Sequence, residues 1–261
     1  ANIIQVDINP DRIGLTKKVT VGIAGDAKQV AKQILEKLSS NAGDTGRSER
    51  KNLIHQTKSA WLQTLTSLDH EDDDPGTVWN KEARERDKDR MSPRQAWRAI
   101  QAAMPEDAII SSDIGNNCAI GNAYPTFEKP RKYLAPGLFG PCGYGFPSIL
   151  GAKIGCPNTP VIGFAGDGAF GISMNEMSSC AREEWPAITM VIFRNYQWGA
   201  EKRNSILWFD DNFVGTELDP ELSYAKVANA CGLKGVIVKT MEETTEAIKQ
   251  SCEDQKKGIT T

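Results

Sequence analysis

From residue 92 onward, short apolar runs alternate with stretches whose apolar residues recur every three or four positions. The runs predict strands at 108–112, 131–135, 160–165, 187–193 and 234–238. The periodic stretches predict helices at 92–103, 116–124, 146–154, 170–184, 220–231 and 242–252. Ser92-Pro93 supplies a capping hydroxyl and then a proline at the first helical position. Strands and helices in alternation predict an α/β fold, a mostly parallel doubly wound sheet with helices on both faces. In such sheets ligands bind outside the carboxyl ends of the strands. That rule singles out three loops, 112–117, 136–145 and 165–171.

The first 38 residues repeat the pattern on a smaller scale. A strand at 3–8 runs into the turn signal Asn9-Pro10-Asp11, and a second strand is expected at 19–23. Asp26 is placed to cap a helix at 27–38 whose apolar stripe is Val30, Ile34, Leu35 and Leu38. This reads as the closing portion of a Rossmann-like sheet. Between 39 and 91 the pattern fails: Leu53, Trp61, Leu65 and Trp79 are isolated anchors, and Asp69 to Gly76 is too polar to build a core. A linker with one helix near 48–68 is expected there, giving a partition into 1–38, 39–91 and 92–261. The chain enters a strand almost at once, and Ile259-Thr260-Thr261 looks like the start of another. It therefore reads as a piece of a longer chain.

Composition narrows the chemistry. With 261 residues, 39% hydrophobic content and a net charge of −3, the chain can bury one substantial core and offers no polyanion-binding surface. The basic run Arg84 to Arg90 is cancelled by Glu85, Asp87 and Asp89, so nucleic acid is not an expected partner. The six cysteines form no CxxC pair, which favours a reducing, cytoplasmic setting over disulfides or zinc. No apolar run approaches the ~20 residues of a membrane span, and no targeting segment is expected. Only His55 and His70 are present, both in the polar stretch, so a Ser-His-Asp triad or a histidine metal site in the core is not expected. Chemistry must come from carboxylates, amides, backbone groups or a cofactor.

Two strand ends carry the candidate chemistry. The apolar run Pro160 to Ala165 ends in Gly166-Asp167-Gly168, and a helical stripe of Phe170, Met174, Met177 and Ala181 follows. Glycines let a backbone approach a ligand closely, and free N–H groups at a helix start suit phosphate. An aspartate there would repel phosphate unless a cation lies between them, so Asp167 suits Mg²⁺ or Ca²⁺. By itself the tripeptide could equally be a tight turn. Asn195 follows 28 residues later at the end of the next strand, where its amide oxygen and the Gln197 carbonyl could join Asp167 around one hard cation. Read alone, Asn195 could instead cap its own loop.

Gly-Asp-Gly followed at this distance by a strand-end asparagine resembles the signature of enzymes dependent on thiamine diphosphate (ThDP). The surroundings are similar to the acetolactate synthase and pyruvate oxidase group. The resemblance implies that Asp167, Asn195 and the carbonyl of Gln197 hold a magnesium ion bridging the cofactor's diphosphate, with Gly166, Gly168 and Ala169 beside the diphosphate. Ser111 to Asn117 resembles a second diphosphate contact, matched by Gly115, Asn116 and Asn117. Gly140-Pro141-Cys142-Gly143-Tyr144-Gly145 resembles the segment around the aminopyrimidine. There Gly140 falls at a carbonyl that accepts from the 4′-amino group, and Cys142 falls where a bulkier apolar residue usually bends the cofactor. Residues 1–38 are similar to the end of the group's central domain, through Ile4 to Pro10 and Ile13-Gly14.

At finer grain, residues 113–122, 193–204 and 208–217 resemble the sulfoacetaldehyde acetyltransferases of that group. This implies sulfoacetaldehyde and phosphate as small anionic substrates, with Lys202 and Arg203 the nearest candidates to recognise them, although both could simply begin a solvated helix. It also implies a homodimer or homotetramer. The group's activating glutamate comes from a pyrimidine-binding domain, and none of Glu176, Glu183, Glu184 or Glu201 lies in a matching motif. Little or no turnover is therefore expected of these residues alone. An acetolactate synthase-like decarboxylating enzyme and a non-catalytic cofactor-binding module remain open. A Rossmann dinucleotide site is disfavoured because Gly143-Tyr144-Gly145 lacks the third glycine and the downstream acidic residue.

Overall fold

The computed structural model describes residues 2–38, 46–70, 90–127, 132–210 and 212–261, with the backbone alone at 68–70. The sequence expectations for Asp69 to Gly76, Trp79 and most of the Arg84–Arg90 run lie outside the described residues or side chains. The chain divides into two compact units, Ala1–Thr66 and Ser67–Thr261. The division falls inside a long helix, α2 (Arg47–His70), close to the helix expected near 48–68. Among the described residues no helix is long and apolar enough to cross a membrane.

In the first unit β1 (Ile4–Asp7) and β2 (Val21–Ala24) pair in parallel, with Ile4 opposite Val21. Helix α1 (Ala27–Lys37) starts at Asp26, whose carboxylate accepts from the Gln29 N–H at 2.9 Å. The apolar stripe that marked this helix is not buried within the unit: Ile34, Leu35 and Leu38 are exposed. Two strands and one helix have too few layers to cover both faces of the sheet.

The second unit holds the fold that positions the site. Its sheet has the order β4-β3-β5-β6, all parallel, from β3 (Ile109–Ser112), β4 (Tyr133–Leu134), β5 (Val161–Gly166) and β6 (Thr189–Phe193). Helices α3 (Pro93–Ala103), α4 (Asn116–Gly121), α5 (Gly145–Gly155), α6 (Asp167–Ser173) and α7 (Met177–Cys180) intervene. After β6 come α8 (Gly199–Trp208), α9 (Tyr224–Ala230) and α10 (Met241–Lys256). Alternation along β5 sorts its side chains into two cores. Val161 and Ala165 pack with Phe146, Ile149, Phe170, Met177 and Tyr224 on one face. Phe164 points the other way, onto Trp97 of α3, with ring centroids 4.4 Å apart. Both faces are thus covered, and complete burial of Phe146, Phe164 and Phe170 contributes about 1.5–3 kcal/mol for each ring.

Three elements differ from the sequence expectation. The helix predicted at 170–184 begins at Asp167 and breaks into α6, a 3₁₀ turn at Met174–Glu176, and α7. Helix α8 is absent from the helices read from periodicity, because its apolar residues show no helical stripe and Leu207 and Trp208 are exposed; it matches only the solvated helix offered as the alternative for Lys202 and Arg203. The predicted strand at 234–238 joins no ladder. The Lys234 N–H donates to Thr260, and the Gly235 N–H turns to the side chain of Asn229. Instead Thr261 lies along β6, donating to Ile188 and accepting from Met190.

Candidate functional site

In sequence β3 is followed by β4 on one side and then β5 on the other, so the strand order reverses between β3 and β5. A crevice forms at such a reversal, outside the carboxyl ends of the two strands. The segments that leave β3 and β5 there, Asp113–Asn117 and Gly166–Ala169, are the ones the sequence singled out. A hydrogen bond from the Asp113 N–H to the Phe164 carbonyl, 2.7 Å long, ties the two strand ends together.

Asp167 opens α6 and is 2% exposed. One carboxylate oxygen accepts from the Gly168 N–H at 3.1 Å and the other from the Tyr196 N–H at 2.7 Å. Burial pushes its pKa up, and the surrounding backbone N–H groups only partly oppose this. Among the described residues no cationic side chain pairs with it. The Tyr196 contact brings the loop after β6 against Asp167, as the spacing of Asp167 and Asn195 predicted. Tyr196 has φ 61°, a left-handed turn that redirects the chain after Asn195. Gln197 then bridges to Glu217, and Asn195 accepts from the Gln197 N–H at 3.3 Å. Trp198 packs closely against Gly168: a Cβ on that glycine would come within 2.8 Å of the indole.

The loop after β3 closes the other side. Gly115 has φ 131°, accessible only to glycine, and begins α4. Asn117 is 7% exposed, and its amide donates to the Asp113 carbonyl. Its Oδ1 lies 3.1 Å from where a Cβ on Gly115 would sit and 3.7 Å from the same point on Gly166, so the two loops meet at this side chain. The amide nitrogens of Asn116 and Asn195 converge on Gly199, lying 3.1 and 2.9 Å from the equivalent point there. Residues from β3, β5 and β6 are therefore gathered at one end of the sheet.

Segment 140–145 folds against the same place. A Cβ on Gly143 would meet Ile172 of α6 at 2.9 Å, and one on Gly140 would meet Ile114 at 3.5 Å. Cys142 is half-buried, and its thiol is pushed up first by burial and then by the charges of Asp113 and Glu201. Such a thiol is a poor nucleophile. Beside it Leu138 and Phe139 stand in solvent.

Lys202 and Arg203 come out differently. Lys202 is paired with Glu217 at 2.5 Å and lies over the Phe213 ring at 4.9 Å, so its charge is already engaged. Arg203 is exposed on α8. Sequence reasoning passed over Asp113, which is fully buried between the β3 end and segment 140–145. The available signal was an acidic residue directly after a strand and two residues before a glycine, at a strand end as Asp167 is. It also passed over Tyr224, which buttresses Asp167 from α9.

The donor set fits a hard cation beside a diphosphate. No group of three His, Cys, Asp or Glu exists among the described residues. A metal here would rest on the one buried carboxylate of Asp167 together with amide and carbonyl oxygens, the ligands that Mg²⁺ accepts alongside phosphate.

Comparison with known proteins agrees with this geometry. The chain is 76% identical over 261 residues to a probable sulfoacetaldehyde acetyltransferase of Rhizobium meliloti, covering all of this chain and 44% of the relative. It is 70% identical to a sulfoacetaldehyde acetyltransferase of Roseovarius nubinhibens, covering all of this chain and 43% of that protein. The chain thus spans less than half the length of these curated relatives. Its structure matches the thiamine diphosphate-dependent 4-hydroxybenzoylformate decarboxylase of Rhodococcus jostii RHA1 with a TM-score of 0.59 and 25% identity, over 64% of this chain and 31% of that one. Residues 113–260 match the family model described as the C-terminal TPP binding domain of thiamine pyrophosphate enzymes. That stretch opens at Asp113 and takes in the loops after β3, β5 and β6, and by it the chain belongs to the thiamine pyrophosphate enzymes.

Proposed function

We propose that this chain provides the diphosphate- and metal-binding part of a ThDP- and Mg²⁺-dependent acetyltransferase. The enzyme would convert sulfoacetaldehyde and phosphate to acetyl phosphate and sulfite in the breakdown of taurine and other sulfonates, working as a homodimer or homotetramer. The observation that carries the cofactor reading is the meeting of Asp167, Asn117 and the Asn195 loop at the strand-order reversal. The substrate reading is supported by the two relatives named for sulfoacetaldehyde.

When bound, the cofactor supplies the nucleophilic carbon and the electron sink for carbon–sulfur cleavage. The chain's own residues bind and orient. Asp167, the Asn195 amide and the Gln197 carbonyl would hold Mg²⁺. The Gly168 and Ala169 N–H groups, with Gly166 and with Gly115, Asn116 and Asn117 opposite, would receive the diphosphate. The Gly140 carbonyl would accept from the aminopyrimidine, and Cys142 would pack against the cofactor as a compact apolar group. Because Lys202 is engaged by Glu217, Arg203 is the freer of the two cations proposed for sulfonate or phosphate. Proton transfer at the pyrimidine is assigned to a glutamate outside these 261 residues.

The reading is tested on the full-length protein with Mg²⁺ and ThDP. Sulfite and acetyl phosphate should form together from sulfoacetaldehyde and phosphate. Release of carbon dioxide from pyruvate without sulfite from sulfoacetaldehyde would replace it with the acetolactate synthase-like reading. Binding of ThDP with release of neither sulfite nor carbon dioxide would leave the non-catalytic cofactor-binding module, and failure of ThDP to bind at any Mg²⁺ concentration would overturn the cofactor reading itself.

A further inference from the structure

Asp113 is the one fully buried carboxylate at the strand ends for which the proposed function has no role. It is 0% exposed, and its main-chain N–H is fixed to the Phe164 carbonyl of the neighbouring strand. Its side chain reaches across to a segment 30 residues further on. Oδ1 accepts from the Ile114 N–H at 2.8 Å and from the Gly143 N–H at 3.0 Å, and Oδ2 accepts from the Gly145 N–H at 2.7 Å. Among the described residues no Lys, Arg or His forms an ion pair with it, so its buried charge is met by backbone dipoles alone. Both oxygens must accept. An amide at this position would turn an NH₂ group onto a backbone N–H.

The partner segment is shaped to receive it. A Cβ on Gly145 would lie 3.0 Å from Asp113 Cβ and 3.1 Å from both its N and its Oδ2, so any side chain there would force Asp113 to shift. Gly143 and Gly140 take φ of 86° and 62°, left-handed conformations that aim the intervening backbone. Cys142 directly precedes Gly143, which is bonded to this carboxylate, and the Asp113 charge is felt at its thiol.

We infer that Asp113 is a positioning residue: its carboxylate is the template on which segment 140–145 takes the conformation that presents the Gly140 carbonyl and the Cys142 side chain to the aminopyrimidine end of the cofactor. This rests on the proposed ThDP site. It separates the labour within that site. The diphosphate end depends on Asp167 and the Asn195 loop, and the pyrimidine end depends on Asp113.

The test is Asp113→Asn in the full-length protein, titrated with two ligands in the presence of Mg²⁺, ThDP and inorganic diphosphate. ThDP affinity should fall about tenfold or more, while inorganic diphosphate binds within about twofold of wild type. Amide hydrogen exchange at Gly143 and Gly145 should accelerate at the same time. Equal weakening of both ligands would make Asp113 a general structural residue and overturn the inference, as would unchanged ThDP binding. If Asp113→Asn does not fold, Gly145→Ala decides, since its methyl group crowds the same carboxylate. It should reproduce the selective loss, and intact ThDP binding in it would overturn the proposal. A wild-type protein that binds no ThDP would sink the cofactor reading instead. Exchange at Gly143 and Gly145 would then still decide whether Asp113 holds the segment.

Discussion

The phenolic hydroxyl of Tyr224 donates a 2.8 Å hydrogen bond to the main-chain carbonyl of Asp167, from a helix 57 residues away in sequence. The same ring stands edge-on to Phe170 with centroids 5.2 Å apart. Burial, and then the Asp167 charge, push the phenol's pKa up, which keeps it a donor. Tyr224→Phe should therefore leave the fold intact but lower stability by about 1–2 kcal/mol, through the lost bond and the unpaired carbonyl. Urea denaturation measures this. The first turn of α6 loosens with it, so Mg²⁺-dependent ThDP binding should weaken in the same variant, whereas a stability loss with unchanged binding would separate Tyr224 from the site.

Gly168 lies under the Trp198 indole, with no room for a methyl group. Gly168→Ala should displace Trp198 and push side-chain bulk into the diphosphate's approach. Calorimetric titration should show ThDP affinity reduced by roughly 100-fold or more, a larger loss than that expected for residues that only support a ligand. Asp167→Ala should abolish the Mg²⁺ dependence of binding altogether. Retained Mg²⁺-dependent binding in Asp167→Ala would remove Asp167 from the metal site.

Far from the site, Gln255 of α10 uses every hydrogen-bonding position of its buried amide. It donates to the Val161 carbonyl and the Thr189 hydroxyl, and accepts from the Val161 N–H and the Lys153 ammonium. Lys153 is itself 6% exposed, and burial pulls its pKa down. Gln255→Ala leaves these groups without their partner and should cost about 2–4 kcal/mol in thermal or urea unfolding. A loss under 1 kcal/mol, about the worth of one ordinary hydrogen bond, would mean that water takes over the amide's place.

Lys234 and Asp254 form an ion pair, and the Asp254 carboxyl is held below its ordinary value of 3.8, chiefly by the hydrogen bond from Lys234. A lowered carboxylate pKa adds stability that is complete above the ordinary value and is lost as pH falls through the native one. Lys234→Ala should be less stable than wild type at neutral pH. The difference should stay below about 1 kcal/mol, because Lys234 is 40% exposed. Denaturation curves between neutral pH and pH 3 should show the gap closing only at the acid end. A gap independent of pH would assign the effect to packing of the lysine stem.

How much was legible in the sequence follows from the range of each interaction. The strands at 108–112 and 160–165 and the capped starts at Ser92 and Asp26 are written in neighbouring residues, and all formed where expected. The metal-site candidates Asp167 and Asn195 were readable because a strand–helix–strand unit has a nearly fixed length and brings its two strand ends side by side. The strand predicted at 234–238 failed because an apolar run becomes a strand only where an edge accepts it, and Thr261 lies along β6 instead. Helix α8 carries no apolar stripe, so periodicity gave no warning of it.

The sequence by itself determined the alternation of elements, the parallel α/β class and the chemical types at the strand ends, since these depend on side-chain period and local backbone preference. Only the tertiary structure decided that Asp113 would hold segment 140–145, that Tyr224 would brace Asp167, and that Glu217 would engage Lys202. Each of these joins groups 15 to 57 residues apart in the chain. No local pattern encodes such partners, because a carboxylate, a phenol or an ammonium finds them only after the sheet has packed and water has been excluded from the groups that remain.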